Sequence, residues 1–184
     1  MSSDAPPPPT RPGVFTPRKL VALVIVVLGF ASDLWTKGWM QERLGMDPDV
    51  VHQSDVIEVI PGCFRFQGNW NTGITFGLAA GHTEPILMFT AAACAVILGI
   101  VLLSRSPSRL LLVALAMILG GALGNLYDRW KWHKVRDFVV LYVGDWQWPA
   151  FNVADTLIVV GVVLILWREL FGHRAPAPAK GTGA

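Results

Sequence analysis

The chain has 184 residues, of which 53% are hydrophobic and 15% charged, with a mean hydropathy of +0.48. Ordinary soluble domains carry about 25% charged residues, so the composition points to a membrane protein and excludes a large multidomain enzyme. The formal charge is +2, with no stretch that concentrates Lys and Arg as a nucleic-acid surface would, so no nucleic-acid partner is expected.

Residues 1–17 are rich in proline, among them Pro6, Pro7, Pro8, Pro9, Pro12 and Pro17, a composition that cannot bury an apolar face and reads as a disordered tail. Residues 172–184 repeat that composition, which leaves 18–171 as one four-helix membrane domain. The first apolar segment, about 18–39, is charge-free from Leu20 to Ser32 and must run on through Asp33 to cross a bilayer, which takes about 20 residues. A cleaved signal peptide is its rival reading, with Arg18 and Lys19 ahead of an apolar core and small residues at Gly29 and Ala31. The pair Trp35 and Trp39 fits a membrane-interface belt better than a mature N-terminus.

An outer loop over 41–84 follows, and within it VIEVIPGCFRFQGNW places Val56, Ile57, Val59, Phe64 and Phe66 around Pro61-Gly62 in a β pattern. The second span, about 85–104, holds no charge, and the third covers about 110–129. VRDFVVLYV then suits an extended segment at the membrane surface, and the fourth span, about 149–168, contains Asp155. The expected fold is an all-α integral membrane protein of four transmembrane helices with a small extramembrane sheet from the outer loops. Four spans put both termini on one side, and the short basic loop Arg105–Arg109, free of acids, assigns that side to the cytoplasm. Seven of the eight tryptophans then fall at the outer face and Trp167 at the inner one.

An ionisable group inside a membrane is costly and is by default a functional-site hypothesis. Asn125, Asp128 and Arg129 stand at i, i+3 and i+4 near the outer end of the third span, and Asn152 and Asp155 at i, i+3 near the start of the fourth. Asp137 lies in the short connection, so Asp137 and Asp155 can face each other across a site at the outer boundary. Two close carboxyls hold one proton between them, an acid and a base at once, as in aspartic proteases. Read singly, Asp128–Arg129 can be an interfacial ion pair, Asp33 a packing hydrogen bond and Asn152 a helix N-cap. Acids of a proton relay or transporter look the same. Cys63 and Cys94 read as plain thiols; His52, His82, His133 and His173 lack metal-ligand spacing, and no GxSxG occurs, so neither metal nor cofactor is expected.

Five blocks in order resemble the bacterial lipoprotein signal peptidases, or signal peptidase II: SDLWTK (Ser32–Lys37), NTGITFG (Asn71–Gly77), GNLYDR (Gly124–Arg129), VRDF (Val135–Phe138) and PAFNVAD (Pro149–Asp155). The resemblance implies a four-helix inner-membrane aspartic protease with an extramembrane β-cradle. It cuts the signal peptide from diacylglyceryl-modified prolipoproteins just before the lipidated cysteine. It puts Asp137 and Asp155 on the catalytic aspartates, and Asp33, Asn71, Asn125, Asp128, Arg129 and Asn152 on positions that bind substrate or support the site. Implied partners are prolipoprotein substrates and membrane lipids, with the protein a monomer. Two departures from the pattern stand out: Gly73-Ile74-Thr75-Phe76 where small residues are common, and His133-Lys134 where Gly-Tyr is usual. The alternative function is a small transporter or proton-relay subunit working through Asp33, Asp128 and Asp155; a membrane scaffold is a third.

Overall fold

A computed structural model describes residues 16–50, 54–73, 83–104 and 108–171. Helix α1 spans Pro17–Arg43; Thr16 caps it, its side chain accepting from the Lys19 backbone N–H at 3.4 Å. Proline suits this first helical position because its missing N–H would have no partner there, so the helix starts one residue inside the expected tail. The rest of the two tails, 1–15 and 172–184, lies outside the described residues.

Strands β1 (Val56–Ile60) and β2 (Phe64–Asn71) form an antiparallel pair. The chain reverses between them at Gly62, whose φ of 81° is a backbone conformation glycine adopts without strain. Helix α2 (Thr83–Leu103) and helix α3 (Arg109–Trp132) follow; the Ser108 side chain caps α3 by accepting from Leu111 N–H at 3.2 Å. At its other end His133 takes the left-handed cap at φ 56°, where the resemblance leads to an expectation of glycine.

The VRDFVVLYV run is strand β3 (Val135–Val143), antiparallel to β2, and the two-residue β4 (Trp146–Gln147) completes a sheet of order β1-β2-β3-β4. Helix α4 spans Val153–Phe171, so it begins later than the expected 149. Phe151 instead bridges Val139 of β3, and Asn152 becomes the cap.

Helices α1, α2 and α3 are long and apolar enough to cross a membrane. α4 forms where a fourth span was expected and carries Asp155, Arg168 and Glu169 within its 19 residues. Large apolar side chains face outward on all four helices, among them Val27, Phe89, Leu110 and Val159. A soluble monomer rarely leaves so much contiguous apolar surface exposed; these are the helices of a membrane protein.

Helix α3 is the centre of the bundle and packs on α1, α2 and α4. Lipid offers apolar side chains the same environment as a neighbouring helix, so close approach at small residues drives this packing. A Cβ on Gly121 would lie 2.4 Å from the Ala154 carbonyl oxygen, and one on Gly124 would lie 2.2 Å from Asp33 Oδ2. These two glycines draw α4 and α1 against the same end of α3. The sheet closes on that end through Phe138, which packs with Met40 of α1 and with Leu44 and Met46 just beyond it.

Candidate active site

Asp137 sits near the start of β3, 1% exposed, and Asp155 in the first turn of α4. Both line a cavity of about 1080 Å³ together with Asn71, Asn125 and Arg129. Trp70, Leu141, Phe151, Val159 and Val160 supply an apolar wall, and the α4 valines extend it onto the outward-facing surface of the helix.

Three asparagines aim their amide groups at the two carboxyls. Asn71 Oδ1 accepts from Gly73 N–H at 2.9 Å, which turns its Nδ2 to donate to Asp137 Oδ2 at 3.0 Å. Asn152 Oδ1 accepts from Asp155 N–H at 3.1 Å, which turns its Nδ2 to Asp137 Oδ1 at 2.7 Å. Asn125 Oδ1 accepts from the Lys37 ammonium at 2.8 Å, and its Nδ2 donates to Asp155 Oδ1 at 2.8 Å. In each case a group that can only donate fixes the orientation of the amide.

Burial first and the neighbouring Asp155 charge second push the Asp137 carboxyl up to about 8, against the opposing pull of the Asn71 amide, Lys37 and the Asn152 amide. Asp155 lies in the first turn of α4, and its Oδ2 accepts from Asn152 N–H at 3.1 Å.

Behind the cavity lies a buried ion cluster. Asp33 pairs with Lys37 at 2.7 Å and accepts from Ala154 N–H at 2.9 Å, tying α1 to the start of α4. Asp128 meets Lys37 at 3.6 Å and is gripped by Arg136 through NH2 at 2.6 Å and Nε at 3.1 Å. Arg136 also donates to Gln41 at 3.0 Å. Buried charges are tolerated only when paired and hydrogen-bonded, and this cluster satisfies that by joining α1, α3 and β3.

The family model described as Signal peptidase (SPase) II matches residues 25–171. The chain belongs to the signal peptidase II family. It is 40% identical to the lipoprotein signal peptidase of Sulfurihydrogenibium sp. (strain YO3AOP1) over 82% of this chain and 89% of that one. The lipoprotein signal peptidase of Anaplasma marginale (strain Florida) is 35% identical over 84% and 87%. A solved bacterial membrane enzyme, 24% identical, superposes with a TM-score of 0.71 over 85% of this chain and 93% of its own, a likeness of fold.

Of the residues singled out from sequence, Asn71, Asn125, Arg129, Asp137 and Asp155 line the cavity of this family member, and Asp33, Asp128 and Asn152 stand behind it. Asp128 and Arg129 do not form the ion pair that their adjacency allowed. Successive helical residues face different ways: Asp128 turns to Lys37 and Arg136, while Arg129 reaches the Gly73 carbonyl at 2.8 Å. Among the described residues the buried acids Asp33, Asp128 and Asp137 all gather at this end of the bundle, not in a file across it. The departures at Ile74 and Thr75 lie outside the described residues.

Sequence reasoning missed Lys37 and Arg136 as site residues. Both stand in the sequence only as members of the SDLWTK and VRDF blocks, yet Lys37 is 0% exposed and Arg136 6%. The signal for Lys37 was present in its i, i+4 spacing from Asp33, which puts the two on one helix face. For Arg136 nothing local marks its partner on α3.

Proposed function

We propose that the protein is an aspartic endopeptidase that removes the signal peptide from diacylglyceryl-modified prolipoproteins, cutting immediately before the lipidated cysteine. The observation that carries this reading is the convergence of three oriented asparagine amides on two carboxyls at one cavity with an apolar wall. Asp155 takes a proton from a water molecule, whose oxygen adds to the scissile carbonyl carbon, while Asp137 gives its proton to the carbonyl oxygen. When the C–N bond breaks, the proton held by Asp155 passes to the leaving amine of the modified cysteine and the hydroxyl proton returns to Asp137. The signal peptide leaves with a new carboxyl end.

The diacylglyceryl group supplies the positioning. Held with its acyl chains against Val159 and Val160 and the surrounding lipid, a substrate presents its scissile bond at fixed depth, and its translational freedom is largely lost before reaction. In this reading α4 is the fourth membrane span, both termini are cytoplasmic and the cavity opens near the outer face of the bacterial inner membrane. The protein works as a monomer.

The test is cleavage of a purified diacylglyceryl prolipoprotein, read as a mass shift, by the wild type and by Asp155→Asn. The reading requires a cut before the modified cysteine that is lost in the variant and absent for an unlipidated precursor. A folded, membrane-inserted wild type that cuts neither precursor would sink it.

A further inference from the structure

Lys37 stands one turn beyond Asp33 on α1 and is wholly buried, outside the lining of the cavity. Its ammonium donates to Asn125 Oδ1 at 2.8 Å and meets Asp33 Oδ2 at 2.7 Å and Asp128 Oδ2 at 3.6 Å. Asn125 Oδ1 also accepts from Asn152 Nδ2 at 3.2 Å, so both of its lone pairs are engaged. The Asn125 amide hydrogens are thereby directed away from α1, and Nδ2 donates to Asp155 Oδ1 at 2.8 Å. A flipped Asn125 would set its own N–H groups against an ammonium that has no lone pair to offer. We propose that Lys37 is a positioning residue for the reaction: by locking the Asn125 amide it keeps Asp155 an acceptor, and so fixes on Asp137 the single proton the two aspartates share.

The charges around the pair agree with one shared proton. From α1 come Asp33 and Lys37; from α3, Asp128 and Arg129; from β3, Arg136 beside Asp137 itself; and from α4, Asp155. Lys37 and Arg136 offset Asp33 and Asp128. Among the described residues the remaining cation, Arg129, offsets one ionised carboxyl of the pair and leaves none to balance a second. A buried unbalanced charge is costly enough that the group binds a proton instead.

This inference rests on the aspartic-endopeptidase reading, and the experiment separates the two. Lys37→Met strands Asp33, which can prevent folding, so the variant to use is Lys37→Met with Asp33→Asn: the asparagine Oδ1 still accepts from Ala154 N–H. Lys37→Gln, again with Asp33→Asn, keeps a donor for Asn125 at the same net charge as that variant. For the full-length protein in lipid, with thermal unfolding confirming that each variant is folded, the pH profiles of kcat and kcat/KM on the lipidated precursor are compared. The Lys37→Met double variant is expected to lose about 10–100-fold in kcat, the worth of one hydrogen bond to a charged group, with KM within about threefold. Both limbs of its pH profile move to higher pH: the paired changes remove one cation and one anion, but an Asn125 amide that is no longer locked ceases to favour the ionised form of the pair. Lys37→Gln with Asp33→Asn recovers most of the lost kcat and returns the limbs toward their wild-type positions. Limbs that stay in place, with activity lost only in proportion to the folded fraction, would make Lys37 a structural ion-pair partner and overturn the proposal. A wild type that does not cleave, or an active Asp155→Asn, would instead remove the aspartic dyad and this proposal with it.

Discussion

Asn152 and Asp155 hold each other: Asn152 Oδ1 accepts from the Asp155 backbone N–H at 3.1 Å, and Asp155 Oδ2 accepts from the Asn152 backbone N–H at 3.1 Å. This reciprocal capping box starts α4, and it fixes a carboxyl of the site through the same two bonds. The Asn152 amide, once its oxygen is committed to the helix, has its hydrogens left for Asp137. A serine at 152 can cap the helix and cannot reach Asp137 with a donor. Asn152→Ser should keep the cap and cost about 1–3 kcal/mol for the buried acceptors it leaves without that donor, while kcat falls about 10–100-fold for the lost bond to Asp137, beyond what the lower stability explains. Thermal unfolding and turnover on one preparation check the separation; equal losses in both would show that Asn152 is only a cap.

Asp137 and Asp155 are expected to act as one unit. Each single change to Asn removes either the acid or the base, and what remains cannot complete the proton transfers. Asp137→Asn, Asp155→Asn and the double variant should thus show turnover reduced by about 10⁴-fold or more, and alike within a few fold. Partial losses that multiply in the double variant would mean that the two carboxyls work independently.

The raised Asp137 carboxyl carries a stability signature of opposite sign to its catalytic one. Its ordinary value is 3.8, and burial together with the neighbouring Asp155 charge brings it to about 8 in the folded protein. The folded state thus binds this proton more tightly than the unfolded one. The associated stability is complete below about pH 4 and is lost as pH rises toward 8, by about 1.4 kcal/mol for each unit crossed. Asn at this position cannot ionise. Asp137→Asn should melt higher than the wild type, by a margin that widens from pH 5 to pH 8. A margin independent of pH would show that Asp137 is not the protonated partner.

How much of this was open to the sequence differs from element to element. The helices and the β1–β2 hairpin were legible because each follows from a local pattern: apolar runs of membrane length, and alternation around Pro61-Gly62. The nearness of Asp137 to Asp155 was legible because a short connection joins α3 to α4. The ion cluster was not legible. Whether Lys37 points to lipid, solvent or protein depends on how close α3 comes to α1; Gly124, which sets this distance, opens the GNLYDR block, but nothing in that block says which helix it faces. The late start of α4 was hidden for a similar reason, since Phe151 is drawn into a bridge with Val139 by the neighbouring sheet.

Gly121 shows that closeness most plainly. The 2.4 Å between a Cβ there and the Ala154 carbonyl oxygen leaves no space for a methyl group without moving α4. Ala154 lies between Asn152 and Asp155, so that movement displaces the capping box. Gly121→Ala should cost about 1–3 kcal/mol by overpacking and depress turnover more than stability alone predicts. Gly99 on α2, where an added Cβ would meet nothing within 4 Å, is the control. Gly99→Ala should be neutral or slightly stabilising, because alanine is the better helix former.

His133 makes the converse case, a position where this chain lacks the glycine its backbone favours. At φ 56° the residue is left-handed, and its N–H closes α3 by donating to the Arg129 carbonyl at 3.0 Å. A side chain in this conformation costs about 1–2 kcal/mol relative to glycine, partly offset by the greater freedom glycine brings to the unfolded chain. The exposed His133 side chain is not among the residues lining the cavity. His133→Gly should therefore raise stability by about 0.5–1 kcal/mol and leave turnover unchanged. His133→Ala, which retains the Cβ and the strain, should gain nothing. Equal stability for both variants would show that the surrounding sheet and α3 already relieve the cost at this cap.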